Sequence, residues 1–427
     1  MVAEGYKDTE IGVIPIQWEV KSLSEIGSFS KGKGISKNEV IKDGIPCMRY
    51  AEIYTKYNTV LKNIKSFIDK NSALNSKQIY NRDILFAGSG ETLEDIGKSV
   101  AFIDDFEAYV GGDTVILSPD IDYNALFMAY QLNSTSVRTQ LRKLGQGNSV
   151  VHIYSSGLEK VIVSFPPLRE QEKIADILST ADAKIDAIAS QIEKAETLKK
   201  GLLQKLLSEG IGHSEFKDTG LSIVYPMRKI PNSWELKTLS DITTKITDGA
   251  HFTPTYVESG IPFLRVTDLK SKDLLASNIK YIPEEEHIEL LKRCNPEYGD
   301  ILYSKNGTIG LTRIVTWDWE FSIFVSLCLI KPNKDLIIPE YLKYYLTSSI
   351  VDTQIMIRAK QGAVTNLHLE EIRDFFITIP PLEEQKQIAD ILSTADEKLE
   401  VLRAKKEKYE TLKKGLLQKL LSGEVRV

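Results

Sequence analysis

Residues 166–208 and 380–422 carry almost the same sequence 214 positions apart, with 30 of 43 aligned residues identical. Each run opens on Pro-Pro-Leu, at Pro166 and Pro380, and closes on Leu-Lys-Lys-Gly-Leu-Leu-Gln-Lys-Leu-Leu-Ser, at Ser208 and Ser422. The preceding segments are far less alike, yet landmarks recur in them. Ile14-Pro15-Ile16-Gln17-Trp18-Glu19 returns as Ile230-Pro231-Asn232-Ser233-Trp234-Glu235, and Gly44-Ile45-Pro46 through Arg49 returns as Gly260-Ile261-Pro262 through Arg265. Asp83-Ile84-Leu85-Phe86 returns as Asp300-Ile301-Leu302-Tyr303, and Gln146-Gly147 as Gln361-Gly362. The chain is therefore two copies of one unit, a variable module followed by a shared segment.

The shared segments read as helices. Ile174, Ile177, Ala181, Ile185, Ile188, Ile192, Ala195, Leu198, Leu202 and Leu206 recur every three or four residues, as do Ile388, Ile391, Ala395, Leu399, Leu402, Tyr409, Leu412, Leu416 and Leu420. Forty residues make a rod of about 60 Å. Each apolar stripe needs a partner surface, and the other copy is the obvious one. Ser179-Thr180-Ala181-Asp182 and Ser393-Thr394-Ala395-Asp396 resemble internal capping boxes and predict a kink or restart. The β-branched and aromatic runs at 161–165 and 375–379 read as strands leading into each helix. Helices are also expected over 124–144 and 339–359. Strand and helix do not alternate regularly, so each module is read as α+β. The expected division is 1–165, a first globular module; 166–210, a central helix; 211–379, a second module; and 380–427, a C-terminal helix. Tyr6-Lys7-Asp8-Thr9 near the start resembles Phe216-Lys217-Asp218-Thr219 after the first helix. Helices paired as an antiparallel coiled coil would then give a pseudo-two-fold arrangement.

At 427 residues there is room for two or three cores. No apolar run reaches the length of a membrane span, the N-terminus lacks a secretory pattern, and three scattered cysteines form no disulfide framework, so a cytoplasmic address is expected. The net charge of −5 conceals segregation: residues 21–82 hold 12 basic and 5 acidic residues, whereas 83–122 hold 10 acidic residues and only Lys98 as a cation. Such a run is either a solvated face or one basic surface for a polyanion.

Catalytic signatures are weak. Phe86-Ala87-Gly88-Ser89-Gly90 matches the F-x-G-x-G loop of S-adenosylmethionine-dependent methyltransferases, but its counterpart, Tyr303-Ser304-Lys305-Asn306-Gly307, lacks the first glycine. Both Pro-Pro pairs lack the polar residue and aromatic that an amino-methyltransferase uses on a flipped base. There is no phosphate-binding G-x-x-x-x-G-K-[ST] loop, and the five histidines show no metal spacing. His152 and His368 recur after the Gln-Gly turns and are read as structural or DNA-facing.

The repeated P-P-L-x-E-Q-x-x-I-A-D-I-L…L-K-x-G-L-L-Q-x-L-L, with I-P-x-x-W-E and G-I-P-x-x-R, resembles the DNA-specificity subunit of type I restriction-modification systems over essentially the whole length. The resemblance implies that each module is a target-recognition domain reading one half of a bipartite, asymmetric site in double-stranded DNA. It implies helices that set the spacing and dock two methyltransferase subunits, with two motor-nuclease restriction subunits completing the assembly. Metal and cofactor sites are expected to be absent here; S-adenosylmethionine, ATP and magnesium would belong to the partners, as would adenine-N6 methylation and ATP-dependent cleavage. A free-standing methyltransferase and a scaffold that reads no DNA are the alternatives.

Lys31, Lys33 and Lys37 are expected at phosphates, with Arg49, Tyr50, Ser89, Gln146 and Asn148 nearer the bases. In the second module the candidates are Thr247, Asp248, His251 and Thr253 on a polar turn, with Arg265, Lys305, Asn306, Gln361 and Asn366. Arg49 and Arg265 hold equivalent positions in modules that should read different sequences, which favours a shared phosphate contact or a structural ion pair. Leu202, Leu203, Leu206, Leu416, Leu417 and Leu420 are the expected partner-docking residues, because near-identity on both rods suits two copies of one partner.

Overall fold

The structure is a computed structural model that describes residues 4–147, 151–271, 273–275, 278–358 and 366–427. It falls into two compact units, one of residues 1–189 with 404–427, the other of residues 190–403. This division cuts across the sequence repeat, because each unit combines one module with parts of both long helices. The mixed α+β class expected from the sequence is what forms. Among the described residues no helix is long and apolar enough to cross a membrane.

In the first unit, Ser99–Ala101, Ile84–Ala87, Thr114–Pro119 and Gly27–Lys31 form, in that order, an antiparallel sheet. Side chains alternate between faces with period two. Ile84 and Phe86 enter one core cluster, while Leu85 and Ala87 enter another. Both faces of the central strand are thus covered, so it reads as a continuous apolar run. A second, mixed sheet runs Ser66–Ile68, Ile45–Met48, Ala108–Val110, Lys77–Ile79. The second unit repeats the plan: Thr243–Asp248, Leu327–Pro332, Ile301–Ser304 and Thr312–Ile314 form one sheet, and Lys280–Ile282, Ile261–Leu264 and Ser322–Ile323 another.

The closing strands form at Ile162–Phe165 and Phe376–Ile379, each paired with a strand near its module's start. The long helices follow at once, Leu168–Ser208 and Leu382–Leu421. Neither is interrupted at the expected internal caps. Asp182 instead accepts the Tyr130 hydroxyl at 2.6 Å and the Lys413 ammonium at 2.5 Å, and Asp396 takes Tyr344 at 2.9 Å together with Lys199. A carboxylate recruited by tertiary partners leaves the helix ladder intact.

The expected module helices are each broken in two. Ala125–Leu132 and Thr135–Leu144 are separated where Ser134 caps the backbone N–H of Val137. Pro339–Leu346 and Ser349–Arg358 are separated at Thr347-Ser348, and residue 359 lies outside the described residues. Serine competes with the backbone ladder for hydrogen bonds and so favours a restart.

Each unit is tied to the helices by matching bonds. The Trp18 indole donates to Glu170 at 3.0 Å and the Trp234 indole to Glu384 at 2.9 Å. Ser164 donates to the Leu421 carbonyl at 3.3 Å, and Thr378 to that of Leu207 at 3.1 Å.

The expected docking leucines take part in this packing, with Leu206 and Leu420 buried and the other four half-buried. Leu202, Leu203 and Leu206 pack into the core of the second unit, and Leu416, Leu417 and Leu420 into a cluster of the first with Trp18, Phe127 and Ile174. The apolar stripe is used inside the chain, because a half-exposed leucine row gains most by meeting the nearest apolar surface. Leu198 and Leu412, at equivalent positions, are the most exposed leucines of the two helices, at 60% and 53%.

Candidate nucleic-acid interface

In each module, segments distant in sequence meet at one end of the first sheet. Strand Thr114–Pro119 pairs through Val115 with Lys31 and through Thr114 with Ala87. Strand Leu327–Pro332 likewise pairs through Cys328 with Asp248 and through Leu327 with Ser304. The turn after the first strand is sterically forced to glycine. A Cβ on Gly32 would sit 2.1 Å from the Gly111 carbonyl oxygen, and one on Gly249 only 1.9 Å from that of Ile323. The chain therefore turns tightly against a neighbouring backbone in both modules.

What the turns carry differs. In the first module Lys31 and Lys33 flank Gly32 and are exposed, with Lys31 3.5 Å from Asp113; Lys37 is exposed further on. In the second module Thr247 and Asp248 are buried before Gly249, and His251 and Thr253 are exposed after it. Asp248 sits among basic groups: His251 Nε2 at 2.9 Å from Oδ1, Lys305 Nζ at 3.3 Å from Oδ2, and the Arg293 guanidinium on Oδ1. Burial pushes the Asp248 carboxyl up, but the His251 hydrogen bond and the His251, Lys305 and Arg293 charges outweigh it and hold it below the usual range.

The next loop also diverges. Gly88 stands where a Cβ would lie 2.7 Å from the Asp113 carbonyl oxygen, so that glycine answers to packing, and Phe86 to Gly90 are buried. Its counterpart is Lys305, buried at 6% exposure. Ser89, expected to approach DNA, is buried too, with its hydroxyl 2.8 Å from His152 Nδ1. The β-bridge made by Ser89 and His152 is matched in the second module by one between Asn306 and Asn366. The counterpart of His152 in the second module is therefore Asn366; His368 instead precedes the short helix Leu369–Arg373. Asn366 and Gln146 are exposed and Asn306 is half-buried with its Oδ1 unpaired. Asn148 and Gln361 lie outside the described residues.

Arg49 and Arg265 both follow the strand that pairs in parallel with a neighbour. Arg265 makes a structural ion pair, Nε and Nη2 reaching Asp268 at 3.1 and 3.0 Å, which raises its pKa. At the corresponding place Glu52 is taken by Lys56 and Ser66, leaving the Arg49 Nε buried without a hydrogen bond. Arg49 and its neighbour Tyr50 are half-buried. Two cations of the basic stretch 21–82 meet the acidic stretch, Lys31 at Asp113 and Arg82 at Asp122. Sequence reasoning missed Arg293, which lies 45 residues from Asp248 on a segment with no motif.

The family described as type I restriction modification DNA specificity domain matches this chain twice, over residues 15–197 and 231–411. The MjaVIII type I restriction enzyme specificity subunit of Methanocaldococcus jannaschii is 25% identical, covering 99% of this chain and 96% of that protein. The EcoBI specificity subunit of Escherichia coli is 23% identical over 96% of this chain and 86% of its own length. A solved S subunit of the type I restriction-modification system of M. genitalium shares the fold, with a TM-score of 0.58 at 18% identity over 95% of this chain and 96% of that one. With two copies of the domain, matching landmarks and the same fold, this chain belongs to the type I restriction-modification DNA specificity family.

Proposed function

We propose that the chain supplies sequence specificity and no catalysis to a type I restriction-modification assembly. Each module reads one half of a bipartite, asymmetric target in double-stranded DNA. The observation that carries this reading is the repeated sheet end, where one backbone presents Lys31 and Lys33 in one module and, in the other, His251 backed by the buried Asp248 and Lys305. A shared frame with different polar groups suits two different half-sites.

The long helices pair antiparallel, relate the halves by a pseudo-two-fold axis and set the gap between half-sites. Reciprocity supports this: Lys413 of the second helix meets Asp182 of the first, and Lys199 of the first meets Asp396 of the second, 214 positions on in each case. Such exchange of i with j and j with i characterises an isologous contact. Two methyltransferase subunits dock on the outer helix faces. Gly201 and Gly415 have open space where a Cβ would point, so no internal contact explains a glycine that costs a helix about 1 kcal/mol. With Leu198 and Leu412 one turn away they form two like patches for two copies of one partner. Two restriction subunits, S-adenosylmethionine, ATP and magnesium complete the cytoplasmic assembly outside this chain.

The test is to co-express the chain with its methyltransferase subunit and map modified adenines across a genome. One motif of two short halves and a fixed gap is expected, and exchange of residues 1–165 should change one half only. Methylation by this chain without the subunit points to an enzyme; none with it points to a scaffold.

A further inference from the structure

The cluster around Asp248 has chemistry beyond holding a turn. One buried carboxylate gathers three cationic or potentially cationic groups, so hydrogen-bond donors exceed acceptors. His251 Nε2 lies 2.9 Å from the Asp248 oxygen and 3.0 Å from Arg293 Nη2. It cannot donate to the first and accept from the second at once, so one of these contacts is free to be exchanged for an outside acceptor. Arg293 and His251 are the exposed members, with side chains 54% and 53% accessible, while Asp248 behind them is at 3%, and of the two only Arg293 carries a fork of donors. A guanidinium fixed from behind by a buried carboxylate keeps a planar donor edge toward solvent.

The first module lacks this arrangement on the same backbone. Asp83 and Asp300 each accept the backbone N–H three residues earlier, Tyr80 and Glu297, an offset of 217 that the packed glycines Gly32 and Gly249 also keep. At that offset Lys31, Ser76 and Gly88 replace Asp248, Arg293 and Lys305. Ser76 turns its hydroxyl to the Ser72 carbonyl at 2.7 Å. A phosphate contact needed by both modules would be kept in both; a base-reading group would differ.

Resting on the proposed DNA-reading role, we infer that Arg293 is a specificity-determining residue that reads a guanine in the half-site of the second module, with Asp248 as its positioning residue. A guanidinium donates two parallel N–H bonds to O6 and N7 on the major-groove edge of guanine, a pattern no other base offers. Asp248 restricts the rotamers of Arg293 and offsets its charge, which favours directional reading over plain phosphate neutralisation. His251 and Lys305 hold the carboxylate ionised when Arg293 engages DNA.

The experiment uses the full chain in complex with its methyltransferase subunits and maps methylated sites for the wild type, Arg293→Ala, Arg293→Lys and Asp248→Asn. The relevant half-site is the one that changes when residues 211–379 are exchanged. Arg293→Ala is expected to relax one G·C pair there, lowering discrimination about tenfold to a hundredfold, with the other half and the gap unchanged. Arg293→Lys, which keeps the charge but loses the fork, should relax the same position, and Asp248→Asn should relax it less. If Arg293→Ala does not fold, Arg293→Lys decides. An unchanged motif overturns the inference, as does a uniform loss over all sites that lysine restores, the signature of a phosphate contact. A wild-type complex giving no bipartite motif defeats the specificity reading itself, a separate outcome.

Discussion

Residue by residue, the module frame tolerates local exceptions when neighbours compensate. Arg82 has φ of +76° where the other copy has Gly299 at +90°. A side chain in that region costs roughly 1 kcal/mol. Arg82 offsets it by donating to the Ile121 and Tyr123 carbonyls, pairing with Asp122 and lying over the Tyr123 ring. Arg82→Ala keeps the backbone cost and loses those contacts, so it should destabilise the first unit by about 1–2 kcal/mol in urea unfolding, more than Arg82→Gly. Asp248 gives a pH dependence. Its folded pKa is depressed, so its contribution is present above the ordinary aspartate value near 3.8 and disappears as pH falls through the lower folded value. Asp248→Asn should therefore flatten the acid limb of the second unit's stability below the ordinary aspartate value near 3.8, measured by thermal melts against pH.

For the elements, the helices matter through what each meets along its length. Lys199 and Asp396 are partly exposed, so the pair is worth a modest amount. Lys199→Glu should cost about 1 kcal/mol, and adding Asp396→Lys should recover at least half of it in a double-mutant cycle. Gly201→Ala with Gly415→Ala should raise helix stability by roughly 1 kcal/mol per site while weakening methyltransferase binding, measurable by titration calorimetry. A gain in stability with unchanged binding would remove the glycines from the docking surface. Helix existence was legible from the stripe at three- and four-residue spacing. The restarts at Ser134 and Ser348 were not, because they turn on local hydrogen bonds with Val137 and Tyr345 that an apolar period does not register, and neither was the unbroken passage through Asp182 and Asp396, which depends on hydrogen-bond partners remote in sequence.

In the whole molecule, the first compact unit is discontinuous in sequence, whereas the second is one continuous stretch. The last 24 residues belong to the first unit, where Leu420 and Leu421 are buried and Arg426 holds Glu170 with Nε at 2.6 Å. Deleting residues 404–427 should uncover Trp18, Ile174 and Leu178, and hydrogen exchange should then rise through residues 1–189 while residues 229–379 keep their protection. Equal loss in both regions would contradict the division. The sequence by itself determined the duplication, the α+β class, the long helices and the family, since period, landmark spacing and identity between copies are local or linear properties. Only the tertiary structure decided which polar residues stand at the sheet ends. It buried Ser89 against His152, turned Leu206 and Leu420 inward, tied Arg265 to Asp268, and joined Arg293 to Asp248. Exposure and ion pairing arise from segments brought together by strand pairing, and a linear pattern carries no record of which side chain will find a partner.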